Sequence, residues 1–143
     1  MLESLVKQGF EKLGLDCDER ALGRYRTYYE YLEEINAVMN LTAISGEEDV
    51  ARLHFLDCAA LLTLADFKGK KVIDVGTGAG FPGLPVKIAC PDTELTLLDS
   101  LDKRVKFLKD CCQKLGLNDV NCIHSRAEEA PKDTASQMAV DED

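Results

Sequence analysis

Apolar residues over 2–13 recur as Leu2, Leu5, Val6, Phe10 and Leu13, the three- and four-residue spacing of one helical face, and Gly14 closes the run. The same spacing returns at Leu22, Tyr25, Tyr29, Leu32, Ile35 and Met39 and predicts a second helix over about 18–39. At that spacing its tyrosines read as core rather than as a base-stacking surface. "NLTAISGEED" at 40–49 reads as a loop and a helix start, with Ser45 and Glu48 placed as a capping box. The third helix would then bury Val50, Leu53, Leu56, Ala60 and Leu64. His54 and Asp57, three apart on it, would share a face. A substrate contact and a structural hydrogen bond are both open for that pair.

The period changes after "KGKK". Val72–Val75 is a short apolar strand, residues 82–90 a helix with proline tolerated in its first turn, and "ELTLLD" at 94–99 an alternating strand. A helix starting at Ser100 or Asp102 carries Val105, Leu108, Cys112 and Leu115 on one side and stops at Gly116, and "VNCIH" at 120–124 is a third strand. This β-α-β-α-β order predicts an α/β fold with a parallel, doubly wound sheet, whose ligands bind beyond the carboxyl ends of the strands. Residues 1–66 form a helical region and 67–129 a partial Rossmann-like, cofactor-binding half, together one domain. From 130 on, periodicity stops, and 130–143 reads as a disordered tail.

Composition narrows the classes. The 143 residues are 45% hydrophobic and 30% charged, with no apolar run of membrane-spanning length and no signal peptide, so a soluble cytoplasmic protein away from membranes is expected. Six cysteines without a C-x-x-C pair, and only two histidines, read as reduced core thiols rather than a metal site. The net charge of −9 suits a nucleic-acid partner poorly, but residues 127–143 hold six acids against Lys132 alone. The body is therefore only mildly acidic. Arg20, Arg24, Arg26, Lys68, Lys70, Lys71, Lys103, Arg104 and Arg126 are candidate phosphate contacts, with solubility as the competing role.

The chemistry concentrates in "VIDVGTGAGFPGLPV" at 72–86. Glycines let a chain turn sharply and let a ligand lie against main-chain amides at a helix start. Gly78, Gly80 and Gly83 formally spell the dinucleotide pattern G-x-G-x-x-G. Gly76, Gly78 and Gly80 instead spell G-x-G-x-G with Asp74 two residues upstream, the first motif of S-adenosylmethionine methyltransferases. A carboxylate there suits a cofactor with a cationic amino-acid end and repels a pyrophosphate. Asp99, ending the second strand, can accept both ribose hydroxyls or cap the following helix. No Gly-Lys-Ser/Thr follows, which excludes a Walker loop.

"NLTAI" at 40–44, "HFLD" at 54–57, "DVGTGAGFPGLP" at 74–85, "LLDSLDKR" at 97–104 and "SRAEE" at 125–129 follow one another as they do in the glucose-inhibited division protein B family. The chain resembles that family over about residues 1–129. The resemblance implies a Rossmann-like methyltransferase that uses S-adenosylmethionine to methylate N7 of a guanine in 16S, small-subunit ribosomal RNA. It implies cofactor contacts by the backbone around Gly76 and by Phe81, with Asp99 near the ribose and an adenine border at Ala127 and Glu128. Together with the acid and the other residues of the turn, the candidate cofactor-binding residues are Asp74, Gly76, Thr77, Gly78, Gly80, Phe81, Asp99, Ala127 and Glu128. Asn40 and His54 match positions on the substrate side, and Cys58 stands where the family usually has serine. No metal is implied. No general base is nominated, because N7 is a lone-pair acceptor that needs no deprotonation.

The resemblance breaks at "APKDTASQMAVDED", where the family continues with a fourth strand and an arginine-containing motif. Without that strand the "VIDV" strand would keep an open edge able to recruit another chain, so self-association is an expectation. Three readings therefore stand: an active rRNA methyltransferase, a folded remnant that at most binds the cofactor, and an NAD(P) domain.

Overall fold

The computed structural model describes residues 1–126 and the backbone of 138–140. Helix α1 (Leu2–Leu13) turns Leu2, Val6 and Phe10 inward and ends where Gly14 takes φ 72°. Helix α2 (Glu19–Met39) starts on an Asp18 cap whose side chain accepts from the Ala21 amide. It buries Ala21, Leu22, Tyr25, Tyr28 and Leu32. The sequence pattern favours Tyr29 where the fold buries Tyr28. Both flank the same stripe, and Tyr29 stays half-buried beside the Arg26 guanidinium.

The third helical stretch, α3 (47–63), departs from a regular α-helix. It begins as a turn at Glu47–Asp49, widens to a π-helix over Val50–Leu56, returns to α at Asp57–Ala59 and tightens to a 3-10 turn at Ala60–Thr63. The changed winding rotates the buried face. Val50, Ala51, Phe55, Cys58 and Ala59 go inside, whereas Leu53 is 50% and Leu64 80% exposed. The expected capping box is absent. Gly46 precedes the helix at φ 88°, a non-helical angle that excludes Ser45 from the cap, and Glu48 pairs with Arg52 instead.

The remaining elements match the predicted order. Strand β1 (Lys71–Val75) leads through the glycine turn to α4 (Gly83–Ala89). Strand β2 (Glu94–Asp99), helix α5 (Asp102–Leu115) and strand β3 (Val120–His124) follow. β1 pairs with β2 and β2 with β3, both parallel, with Asp74 opposite Leu97 and Asp99 opposite His124. A helix feeding each parallel partner is what returns the chain in the same direction. One core joins helices and sheet, running from Leu2 and Phe10 through Tyr25 and Phe55 to Leu84, Leu97 and Leu108.

Strand β4 (Met138–Val140) corrects the expected open edge. It lies antiparallel on β1, with Val72 opposite Val140 and Asp74 opposite Met138, so the sheet order is β3-β2-β1-β4. Unpaired main-chain groups on a sheet edge take up any strand that can reach them, and here the chain's own C-terminal segment does so. The reading of 130–143 as uniformly disordered fails at these three residues; its other positions, like Ala127 and Glu128, lie outside the described residues.

Arg24 and Arg26, considered as phosphate contacts, are taken up within the fold. The Arg24 guanidinium donates to the Leu115 and Gly116 carbonyls at the end of α5. Arg26 bridges Glu3 and Glu47 at 2.6 Å each, tying α1 and α3 to α2. Among the described residues no helix is long and apolar enough to cross a membrane, and no cluster of His, Cys, Asp or Glu is arranged to hold a metal ion.

Candidate functional site

The glycine turn sits at the carboxyl ends of β1 and β2. Its first two amides, Gly76 and Thr77, both donate to the Leu98 carbonyl, which pins the turn across the strand pair. Gly76 and Gly78 have φ of 68° and 59°, a left-handed conformation that favours glycine. A Cβ built on either would meet nothing within 4 Å, so the bare backbone faces open space. Gly83 is bare for another reason. A Cβ there would lie 2.8 Å from Leu97 and 2.9 Å from the Asp74 carboxylate, so its absence lets α4 settle directly on β1 and β2.

Asp74 forms the floor. It is fully buried. Its Oδ2 accepts from the Thr77 hydroxyl at 2.7 Å and from the Gly83 amide at 2.9 Å. Its Oδ1 is buried without a hydrogen-bond partner among the described residues. Burial pushes the carboxyl up to about 7, the Thr77 and Gly83 bonds pull the other way, and the nearby Asp99 charge adds to the rise. A buried acceptor left without a donor is costly, and buried polar atoms in native folds are rarely left so. An incoming cationic group would relieve it.

Asp99 closes the adjacent strand end and is 2% exposed. Its Oδ2 accepts from the Gly78 amide at 2.8 Å, and its Oδ1 accepts from the Leu101 amide at 2.9 Å with the Arg104 guanidinium 3.5 Å away. Asp99 thus orders the turn into α5 and touches the glycine loop, while α5 itself begins at Leu101 without a side-chain cap, so the capping role read from the sequence is not the one this carboxylate takes. A carboxylate has about four lone-pair sites, so it retains capacity for hydroxyl donors.

Helix α2 supports the loop from behind. The buried Tyr28 hydroxyl donates to the Ala79 carbonyl at 2.5 Å, and the Tyr25 hydroxyl to the Pro85 carbonyl at 2.7 Å. The sequence pattern marks such tyrosines as core and carries no signal for these two hydroxyls. Gly80, at φ 100°, would place a Cβ 2.7 Å from both Leu84 and the Tyr28 hydroxyl, so the loop is closely packed on that side.

Phe81 follows the glycines and stacks on His54, with centroids 3.8 Å apart and planes 9° apart. His54 Nε2 lies 3.0 Å from Thr42 Oγ1, which also accepts from the Ile44 amide. Burial lowers the His54 pKa and the Asp57 charge partly opposes that. The expected His54–Asp57 pair is therefore not a hydrogen-bonded unit: the partners of His54 are Thr42 and Phe81. Asn40, in the left-handed conformation at the end of α2, starts the loop that delivers Thr42. The structure thus brings Asp74, Gly76, Thr77, Gly78, Gly80, Phe81 and Asp99 together around one turn.

Comparison with known proteins places the chain among relatives of one name. The GidB family profile, described as rRNA small subunit methyltransferase G, matches residues 22–140. A ribosomal RNA small subunit methyltransferase G of Clostridium perfringens is 46% identical over 129 residues, covering 90% of this chain and 54% of that protein. The protein of the same name from Alkaliphilus metalliredigens is 46% identical over 138 residues, covering 96% of this chain and 58% of its own. One from Lactobacillus johnsonii is 47% identical over 122 residues. The chain spans about half the length of the curated relatives it matches.

Proposed function

The chain belongs to the GidB family of rRNA small subunit methyltransferase G, and from that premise we propose that it holds S-adenosylmethionine for transfer of a methyl group to N7 of a guanine in small-subunit ribosomal RNA. The observation that carries this reading is the buried Asp74 Oδ1, without a partner among the described residues and set beneath a turn whose Gly76 and Gly78 face open space. A group ending in an ammonium and carrying a ribose fits that donor set: the carboxylate of Asp74 answers the cation and that of Asp99 the hydroxyls. A diphosphate would face two carboxylates and no lysine or arginine of the turn, which disfavours the NAD(P) reading.

Bound there, the cofactor supplies an electrophilic methyl group. The protein's own work is then positioning. Asp74 and Asp99 orient the ligand's two polar ends, Tyr28 and Tyr25 keep the loop from sagging, and Phe81 walls the crevice. Holding two reactants in near-attack geometry removes up to roughly 7–11 kcal/mol of barrier. No base is required, since N7 offers a lone pair directly. The acceptor must be a guanine whose edge is reachable, in RNA a loop, bulge or extruded base. Ala127 and Glu128 would border the adenine.

Two measurements test the reading. Calorimetric titration with S-adenosylhomocysteine is expected to show one saturable site, lost in Asp99→Ala. Incubation with labelled S-adenosylmethionine and small-subunit RNA is expected to label the RNA. A folded chain that binds no S-adenosylhomocysteine, or that binds NAD in its place, overturns the proposal.

A further inference from the structure

Six rings form a column of successive contacts that begins at Phe10 and turns back to α3 at its end. Phe10 meets Tyr25 edge-on with centroids 6.0 Å apart, Tyr25 lies 4.9 Å from Phe55, and Phe55 stacks on Tyr28 at 5.4 Å. Tyr28 continues to Phe81 at 5.7 Å, and Phe81 to His54 at 3.8 Å. The first four rings are buried, Phe81 is half-buried, and so is His54, which ends the column beside the glycine turn. One face of the imidazole is taken by Phe81. Among the described residues no second ring lies on the other face. Its tilt is fixed by Thr42, whose amide is in turn held by the Asn36 side chain at 2.8 Å.

A methyl acceptor has to come within about 3–3.5 Å of the group it receives, so the base must lie close to the turn that holds the cofactor. An extruded base needs a flat partner to replace the stacking it has lost, and His is among the side chains that serve. We infer that the outer face of His54 is the stacking platform for the target purine, with Phe81 and the aromatic column behind it as a rigid backing. This rests on the methyltransferase reading above and adds the residue that receives the substrate base.

The choice of imidazole has a chemical reason. Methylation at N7 breaks the methyl–sulfur bond and forms a methyl–nitrogen bond, and the positive charge passes to the purine. A neutral aromatic ring beneath that purine attracts the developing cation through its π face, whereas a positively charged ring would oppose it. The half-buried setting of His54, away from full solvation, favours the neutral imidazole.

The test follows the His54 ring protons by NMR in the intact 143-residue chain while guanosine, 7-methylguanosine and cytidine monophosphates are added in turn. The expected result is a saturable upfield movement with the purines, weak or absent with the pyrimidine, and a roughly 2- to 5-fold tighter midpoint for the methylated purine. His54→Phe is expected to retain purine binding, and His54→Ala to lose roughly 5-fold or more of it. If His54→Ala does not fold, the wild-type shifts and His54→Phe still decide. Purine and pyrimidine acting alike, or leaving the ring signals in place, overturns the platform. A parallel S-adenosylhomocysteine titration separates the two claims: binding of that ligand without any nucleotide effect at His54 removes the platform and leaves the cofactor reading standing.

Discussion

The Tyr28 hydroxyl donates to the carbonyl of Ala79 across 2.5 Å, joining the middle of α2 to the middle of the glycine turn. Fifty-one positions separate them in the chain. Through this bond the N-terminal helical region braces the glycine turn. Tyr28→Phe keeps the ring stack and leaves the Ala79 carbonyl without its donor, so we expect a loss of about 1–3 kcal/mol in urea unfolding. The same substitution should weaken S-adenosylhomocysteine binding, because the loop loses its brace. Retained affinity with unchanged stability would show that the bond positions nothing.

Two glycines should fail differently. Gly83→Ala puts a methyl against Leu97 and Asp74, and overpacking of this kind costs about 1–3 kcal/mol of stability. Gly78→Ala meets no atom but forces a left-handed angle on alanine, a cost of about 1–2 kcal/mol. Its methyl projects into the open side of the turn, so its larger effect should be on ligand affinity. Paired denaturation and calorimetry on both variants check this division.

Asp74 should make stability depend on pH in an unusual direction. Its folded-state value near 7 lies above its ordinary 3.8, so the native state binds the proton more tightly than the unfolded chain. The stabilisation is complete below pH 3.8 and is lost as pH rises through about 7, amounting to on the order of 4 kcal/mol. Asp74→Asn should remove this part of the pH profile. An ammonium placed beside Asp74 favours the ionised form, so S-adenosylhomocysteine binding at pH 6 should release a proton. Binding heats that vary with the ionisation enthalpy of the buffer would register it, and heats independent of the buffer would contradict it.

Asp99→Ala strips the Gly78 and Leu101 amides of their acceptor and leaves Arg104 without its carboxylate. We expect a destabilisation of about 1–3 kcal/mol and more than a tenfold loss of S-adenosylhomocysteine affinity. Asp99→Asn, which keeps one carbonyl oxygen, should recover much of the stability and less of the affinity. Equal recovery of both would mean that Asp99 serves only the turn.

The sequence by itself determined the local elements and the residue types that stand at the turn. Strands β1 to β3, helices α1, α2, α4 and α5, and the places of Asp74, Asp99 and the glycines at or beside strand ends follow from period and punctuation, which are short-range properties of the chain. The tertiary structure decided what depends on a distant partner. Tyr28 rather than Tyr29 is buried because the Ala79 carbonyl lies on that side of α2. Leu53 and Leu64 face outward because α3 widens and then tightens, which moves the inward stripe onto Val50, Ala51, Phe55 and Cys58. His54 leaves Asp57 for Thr42 and Phe81, and Met138–Val140 covers the edge of β1, because a hydrogen bond or a stack forms between groups that the fold brings together, whatever their separation in sequence.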